Sequence, residues 1–154
     1  MRRLIFAILL VTVAGPAYAA VSIDGTGGSG QVSGTTLSFT CNIGSGSNRA
    51  VLVGFSGGGN TTGLSGTVGG ETLTIVSGTD GGATTATAFL GKTTTLTGNQ
   101  TVSLSWTTSQ NAIAGCLSLA GGNQTTPFNN GTFVSSGSVT VTSANGDLTA
   151  SLLE

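Results

Sequence analysis

The sequence predicts an all-β protein, a two-layer antiparallel β-sandwich of about nine short strands. Apolar and polar residues alternate over short stretches, most clearly from Leu37 to Ile43. Gly, Ser, Thr and Asn, which favour turns, separate these stretches. Charged residues, several of which favour helices, make up 6% of the chain. An open barrel or a β-solenoid is the alternative architecture, although no fixed repeat of the kind that a solenoid requires is visible.

The first half of the chain contains three predicted single strands and a predicted hairpin. A short strand at Val21–Ile23 precedes the alternating strand at Leu37–Ile43. The segment Ala50–Phe55 is apolar on both faces, which predicts a central, buried strand. A hairpin is predicted from Thr67 to Val76, because Gly69-Gly70 suits the positive φ angles of a type I′ turn.

The second half contains the remaining predicted strands, at 86–90, 101–107, 113–119, 139–141 and 148–153. In the 101–107 strand, Val102, Leu104 and Trp106 share one face. In the 113–119 strand, Ile113, Leu117 and Leu119 share a face, so parity places Cys116 on the opposite one.

The first nineteen residues have the layout of a secretory signal peptide. Arg2 and Arg3 precede an uncharged apolar run from Leu4 to Ala14, and Ala17 and Ala19 supply small residues for cleavage after Ala19. The apolar run is shorter than the roughly 20 residues of a membrane-spanning helix, which disfavours a retained anchor. The expected organisation is therefore a cleaved signal at 1–19 and a single domain at 20–154, exported to the periplasm, the cell surface or the medium.

The charge of the mature chain excludes several function classes. Arg49 and Lys92 are its two cations and stand against five carboxylates. Two cations cannot form the basic surface that nucleic acids or anionic lipids require, so neither partner is expected, and no membrane contact is expected once the signal is removed.

The absence of histidine from the sequence removes the usual general base and the common catalytic triads. No catalytic or metal-binding residue is therefore predicted and no cofactor is expected, with a carboxylate-based hydrolase as a distant alternative. Asp24 and Asp80 lie in turn sequences, where aspartate binds its own backbone. Calcium bound by loop oxygens near either residue is the secondary interpretation.

Cys41 and Cys116 are the two cysteines, and export would place them where disulfides persist. A disulfide requires both Cβ atoms on the same side, whereas strand parity places Cys116 opposite the larger apolar residues. Cys116 can still point inward if its strand is buried on both faces. The sequence is compatible both with a disulfide and with two separate buried thiols.

Two further groups of residues are candidates for structural or binding roles. Asn48 and Arg49 form a structural turn, in which the five donors of Arg49 can bind loop carbonyls. Trp106, Asn123 and Gln124 are candidate ligand contacts, with an indole ring for stacking and two side-chain amides for hydrogen bonds. Core packing of Trp106 is the competing interpretation.

The chain resembles a recurring β-sandwich module of secreted bacterial and phage-associated proteins. The resemblance rests on the Gly-Ser-Gly-Ser-Asn-Arg turn at 44–49, the Val-Gly-Gly turn at 68–70, the Gln-Thr-Thr-Pro loop at 124–127 and Gly-Asp-Leu at 146–148. It spans nearly all of residues 21–153 and implies a sandwich or jelly-roll fold on a secreted or surface protein. The module has no established activity, so the resemblance transfers a fold and a location.

The sequence departs from the module at its C-terminal end. The module continues past the Gly-Asp-Leu strand, whereas this sequence stops at Glu154, so the sandwich is expected to be incomplete at its C-terminus. A truncated gene product or an open edge for strand addition by a partner would account for this. The expected function is a secreted, non-catalytic module for surface display, adhesion or structural assembly. A carbohydrate-binding module is the alternative, and glycans or other surface proteins are the expected partners.

Overall fold

The computed structural model describes residues 20–58, 61–78, 85–129 and 147–149. These residues form eight antiparallel strands in one sheet, and no helix occurs among them. The strands are β1 (Ser22–Gly28), β2 (Val32–Ile43), β3 (Ala50–Gly58), β4 (Ser65–Val68), β5 (Glu71–Thr72), β6 (Thr74–Gly78), β7 (Thr85–Thr93) and β8 (Gly98–Ala120). The all-β, antiparallel fold class is confirmed, and the arrangement is consistent with a sandwich.

Strand β8 is the centre of the sheet. Its first part pairs with β2 on one side, from Gly98 to Ser105, and with β4 on the other, from Val102 to Ser105. Its second part pairs with β1 and β3, between Ala112 and Ala120. The sequence predicts two strands here, whereas the structure has one, because no Gly or Pro between Trp106 and Ile113 interrupts the strand.

The structure confirms the turn of the predicted hairpin. Gly69 and Gly70 have φ angles of 54° and 84°, and Val68 pairs with Glu71 across them. Positive φ at both central residues is the requirement of a type I′ turn, which glycine meets without steric cost. The strand after the turn is divided, because buried Leu73 interrupts it between β5 and β6.

The core is formed mainly by large apolar side chains of β2, β3, β7 and the first part of β8. Phe55, Leu90 and Leu104 are among its most buried members. In the second part of β8 the core face is the one that carries Ala112, Ala114 and Cys116, whereas Ile113 is 49% exposed. The register explains this face, because buried Val53 and Phe55 of β3 lie beside Cys116 and Ala114.

Several sequence predictions fall on residues that the structure does not describe. The signal peptide at 1–19, Asp80 and the predicted strand at 139–141 lie outside the described residues. Of the last predicted strand, Leu148 and its neighbour Thr149 are described; both are exposed and neither is part of a strand. No helix within the described ranges is long and apolar enough to cross a membrane.

Candidate functional site

The two cysteines form a disulfide that links β2 to β8. Cys41 and Cys116 have a Cα–Cα distance of 6.1 Å, and their exposed fractions are 0% and 4%. Burial of the second part of β8 on the face of Cys116 resolves the parity conflict. The disulfide, rather than two separate thiols, is therefore the form that the structure has.

Arg49 anchors the turn between β2 and β3. Its guanidinium donates to the carbonyl of Gly46 at 2.6 Å, to that of Thr95 at 2.7 Å and to that of Leu96 at 3.0 Å. The preceding residue, Asn48, has a φ of 53°, a left-handed conformation that asparagine tolerates. The position and contacts of both residues agree with a structural turn.

Asp24 binds the same turn from β1. One carboxylate oxygen accepts the Ser118 hydroxyl at 2.6 Å and the other accepts the backbone N–H of Gly46 at 3.2 Å. Both oxygens are thus engaged in holding the turn to β8. In the described part of the chain, no three His, Cys, Asp or Glu side chains are grouped as metal ligands would be.

The three candidate ligand contacts are not brought together. Trp106 is 4% exposed and packs on Phe55, with ring centroids 5.1 Å apart. Gln124 lies at the opposite end of β3, where its side chain donates to the Arg49 carbonyl at 3.3 Å. Arg49 and Phe55 are about 20 Å apart along an extended chain.

Asn123, the third of these residues, acts within its own loop. Its side-chain oxygen accepts the N–H groups of Thr125 and Thr126 at 2.8 and 3.1 Å. This is an Asx-type turn, in which a side-chain oxygen replaces a backbone acceptor.

The structure also assembles a polar surface from three strands. On the outward side of β2, β8 and β4, hydroxyl-bearing residues face one another in register across neighbouring strands, about 4.8 Å apart. We call this surface the hydroxyl face; it consists of Thr36, Ser38, Thr40, Ser65, Thr67, Thr101, Ser103 and Ser105.

Hydrogen bonds between opposite residues fix this surface. The Ser38 and Ser103 hydroxyls are 2.9 Å apart, and so are those of Ser65 and Ser105. Beyond the hydroxyls, the Asn42 amide donates to Asn99 at 2.9 Å. Paired side chains lose little further freedom when a ligand binds, so the face is pre-organised.

A shallow groove of about 580 Å³ runs over the hydroxyl face and extends to Thr72 of β5. None of its ten lining residues is charged. The nearest acidic residue in sequence, Glu71, is paired with Lys92 at 3.8 Å and accepts the Thr94 hydroxyl at 3.1 Å.

The sequence predicts part of this face. The alternation in β2 and β8 shows Ser and Thr opposite the apolar positions, which predicts a polar outward side. The contribution of β4 depends on its pairing with the first part of β8, which no local pattern reveals.

No family model, no curated protein and no solved structure matches this sequence or its fold.

Proposed function

We propose that this chain is a secreted, non-catalytic module for surface display, adhesion or structural assembly, and that the hydroxyl face is its contact surface. The observation that carries the proposal is the set of neutral hydroxyls held in register on three strands. Such a surface presents many donors and acceptors and no group that would activate a substrate.

The contacts of this surface are individually weak. A hydrogen bond between neutral groups contributes about 0.5–1.5 kcal/mol net, because each group gives up water in order to form it. Useful affinity therefore requires an extended ligand or many copies of the module displayed together, since linked sites gain avidity without new contacts. Display on a cell or particle surface provides this multiplicity.

Export is part of the proposal. The layout of residues 1–19 and the Cys41–Cys116 disulfide are both compatible with an oxidising compartment outside the cytoplasm. The resemblance to the secreted bacterial module points to the same location. Expression with its own signal, followed by fractionation and N-terminal sequencing, tests export directly, and mature protein that begins at Ala20 is the expected result.

The test of the contact surface uses charge. Ser103 lies at the centre of the hydroxyl face, so Ser103→Glu places a carboxylate among neutral hydroxyls. We expect beads that carry this variant to lose adhesion to the surface that the wild type binds. Thr26→Glu is the matched control, because Thr26 is an exposed strand residue that pairs with Leu117, away from the hydroxyl face. Equal adhesion of wild type and Ser103→Glu would refute the assignment.

A carbohydrate-binding module is the second candidate function. Because the groove is uncharged, neutral glycans are the favoured ligands of such a module. The groove offers hydroxyl donors and acceptors and no cation for an acidic sugar. The buried Trp106 removes the stacking contribution on which many sugar sites depend. A glycan array with the mature protein displayed on beads distinguishes the candidates, because retention by neutral polysaccharides that is lost in Ser103→Glu supports glycan binding.

Strand addition is a further route to assembly. In the described sheet β6 stands at the end of the strand order, with β7 as its neighbour. Ile75 of β6 is 42% exposed, and β6 carries neither Pro nor a charged residue, the usual protections of an edge. A partner strand at this edge is the alternative to contact through the hydroxyl face, and Ile75→Lys would weaken such an assembly while leaving the hydroxyl face unchanged.

A further inference from the structure

One end of the core holds three buried polar side chains without a hydrogen-bond partner in the described part of the structure. They are the Thr61 hydroxyl, the Trp106 indole N–H and the Gln110 amide. Their residues are 0%, 4% and 8% exposed. Buried polar groups in folded proteins almost always have a protein or water partner, so three at one end call for an explanation.

Contacts and chain connections place the three side chains in one region. The Gln110 amide nitrogen lies 2.6 Å from the position that a Cβ on Gly57 would occupy, and the Phe55 ring lies 3.0 Å from the same position. The Phe55 ring in turn packs on Trp106. Thr61 precedes Thr62, whose carbonyl accepts the N–H of Thr107, the residue after Trp106. We call Thr61, Trp106 and Gln110 the orphan cluster.

The backbone is irregular at this same place. Strand β8 pairs with β2 at Ser105–Thr36 and again at Gln110–Gly34, so the stretch 106–109 lies opposite the single residue Thr35. The pairing with β4 ends at Ser105 and that with β3 begins at Ala112. The orphan cluster therefore lies where β8 changes partners and the regular ladder is interrupted.

The unused groups define the chemistry of a ligand. The indole offers one donor, the amide offers two donors and an acceptor, and the hydroxyl can do both. A complementary molecule must accept and donate in several directions. It must also be small, because Gly57, the Phe55 ring and the Gln110 amide are already in close contact. Water meets both conditions.

We propose that the orphan cluster is an internal hydration site, in which ordered water bridges the Trp106 indole N–H, the Gln110 amide and the Thr61 hydroxyl. The site gives the buried side-chain groups beside the interrupted part of β8 hydrogen bonds that no described residue supplies. It is independent of the proposed contact function, since it lies in the core and not on the hydroxyl face.

The test uses the single tryptophan of the chain. Its indole N–H gives one resonance in a ¹⁵N-labelled sample, so a rotating-frame cross-peak between that proton and water is assigned without ambiguity. We expect a water cross-peak together with slow exchange of the indole proton, as for a bound water beside a buried group. A slowly exchanging indole proton with no water cross-peak would overturn the proposal.

Variants separate bound water from a direct contact. Gln110→Leu removes the amide, so we expect the water cross-peak to be lost and the indole resonance to shift. Gln31→Leu is the control, because Gln31 is exposed, and it should change neither signal. If Gln110→Leu does not fold, Thr61→Val provides the same comparison by removing the hydroxyl. A cross-peak that persists unchanged in both cluster variants would also contradict the assignment.

Discussion

The two ends of the core satisfy their polar groups in opposite ways. At one end, Arg49 and Asp24 bind the turn between β2 and β3 with five side-chain hydrogen bonds, if the Ser118 hydroxyl is included. At the other end, the orphan cluster leaves buried donors and acceptors without protein partners among the described residues. The same sheet thus has a cross-linked end and an end where the ladder is interrupted.

The difference shows where this chain fixes its register. The loop after β8 joins the cross-linked end, because Gly121 and Gly122 donate to the carbonyls of Ser47 and Asn48 at 2.9 and 3.0 Å. The loop before β8 joins it through Arg49. With both ends of β8 leading into one anchored turn, the alignment of β8 is set there, and the opposite end can tolerate an irregular ladder.

The largest loss of stability should follow from removal of the disulfide, which lies between the two ends. Replacement of Cys41 and Cys116 by Ala is expected to lower the free energy of unfolding by about 2–5 kcal/mol, because the bond constrains a long loop in the unfolded chain. Urea denaturation of the wild type, with and without reductant, gives the measurement. Reductant should not affect the double variant, and an unchanged midpoint of the reduced wild type would contradict the expectation.

The second largest loss of stability should follow from replacement of Arg49 at the cross-linked end. Arg49→Met leaves three carbonyls without their donors, and we expect a loss of about 2–3 kcal/mol in unfolding free energy. Hydrogen exchange should accelerate in residues 44–49 and 94–97 more than around Trp106. Lys92→Met is the control, since its partly exposed pair with Glu71 contributes about 1 kcal/mol or less. Equal acceleration at both ends would show that the ends are not separate.

The smallest loss of stability is expected at the end where the β8 ladder is interrupted. Gly57→Ala places a Cβ 2.6 Å from the Gln110 amide nitrogen and 3.0 Å from the Phe55 ring. The amide must move and the ring must shift slightly, at a cost of about 1–2 kcal/mol. Gln110→Ser in the same chain should restore much of the loss by making room. Gly30→Ala is the control, because nothing lies within 4 Å of its Cβ position. Failure of the second substitution to restore stability would place the strain elsewhere.

Local patterns in the sequence were sufficient for the fold class and for one turn. Alternation from Leu37 to Ile43 identifies β2 and its inward face, which the structure confirms. The Gly69-Gly70 pair identifies its hairpin, because few residues other than glycine adopt two successive positive φ angles readily.

Features that depend on long-range pairing could not be predicted in the same way. The inward face of β8 around Cys116 depends on its register with β3, since both faces of this part of the strand carry apolar residues. The same is true of the hydroxyl face, which needs β4 beside β8, and of the orphan cluster, where β8 changes partners. In each case the deciding neighbour is distant in sequence.

The disulfide has a mechanical consequence when the chain is put under tension. A chain pulled from its two ends extends by the length of the segments that its cross-links leave open. Cys41 and Cys116 are separated by 75 positions, so about 250 Å of chain, at roughly 3.3–3.6 Å per residue, cannot be drawn out while the bond is intact. Under tension the molecule would yield only its terminal segments, and β3 to β7, together with most of β8, would stay within a closed covalent loop.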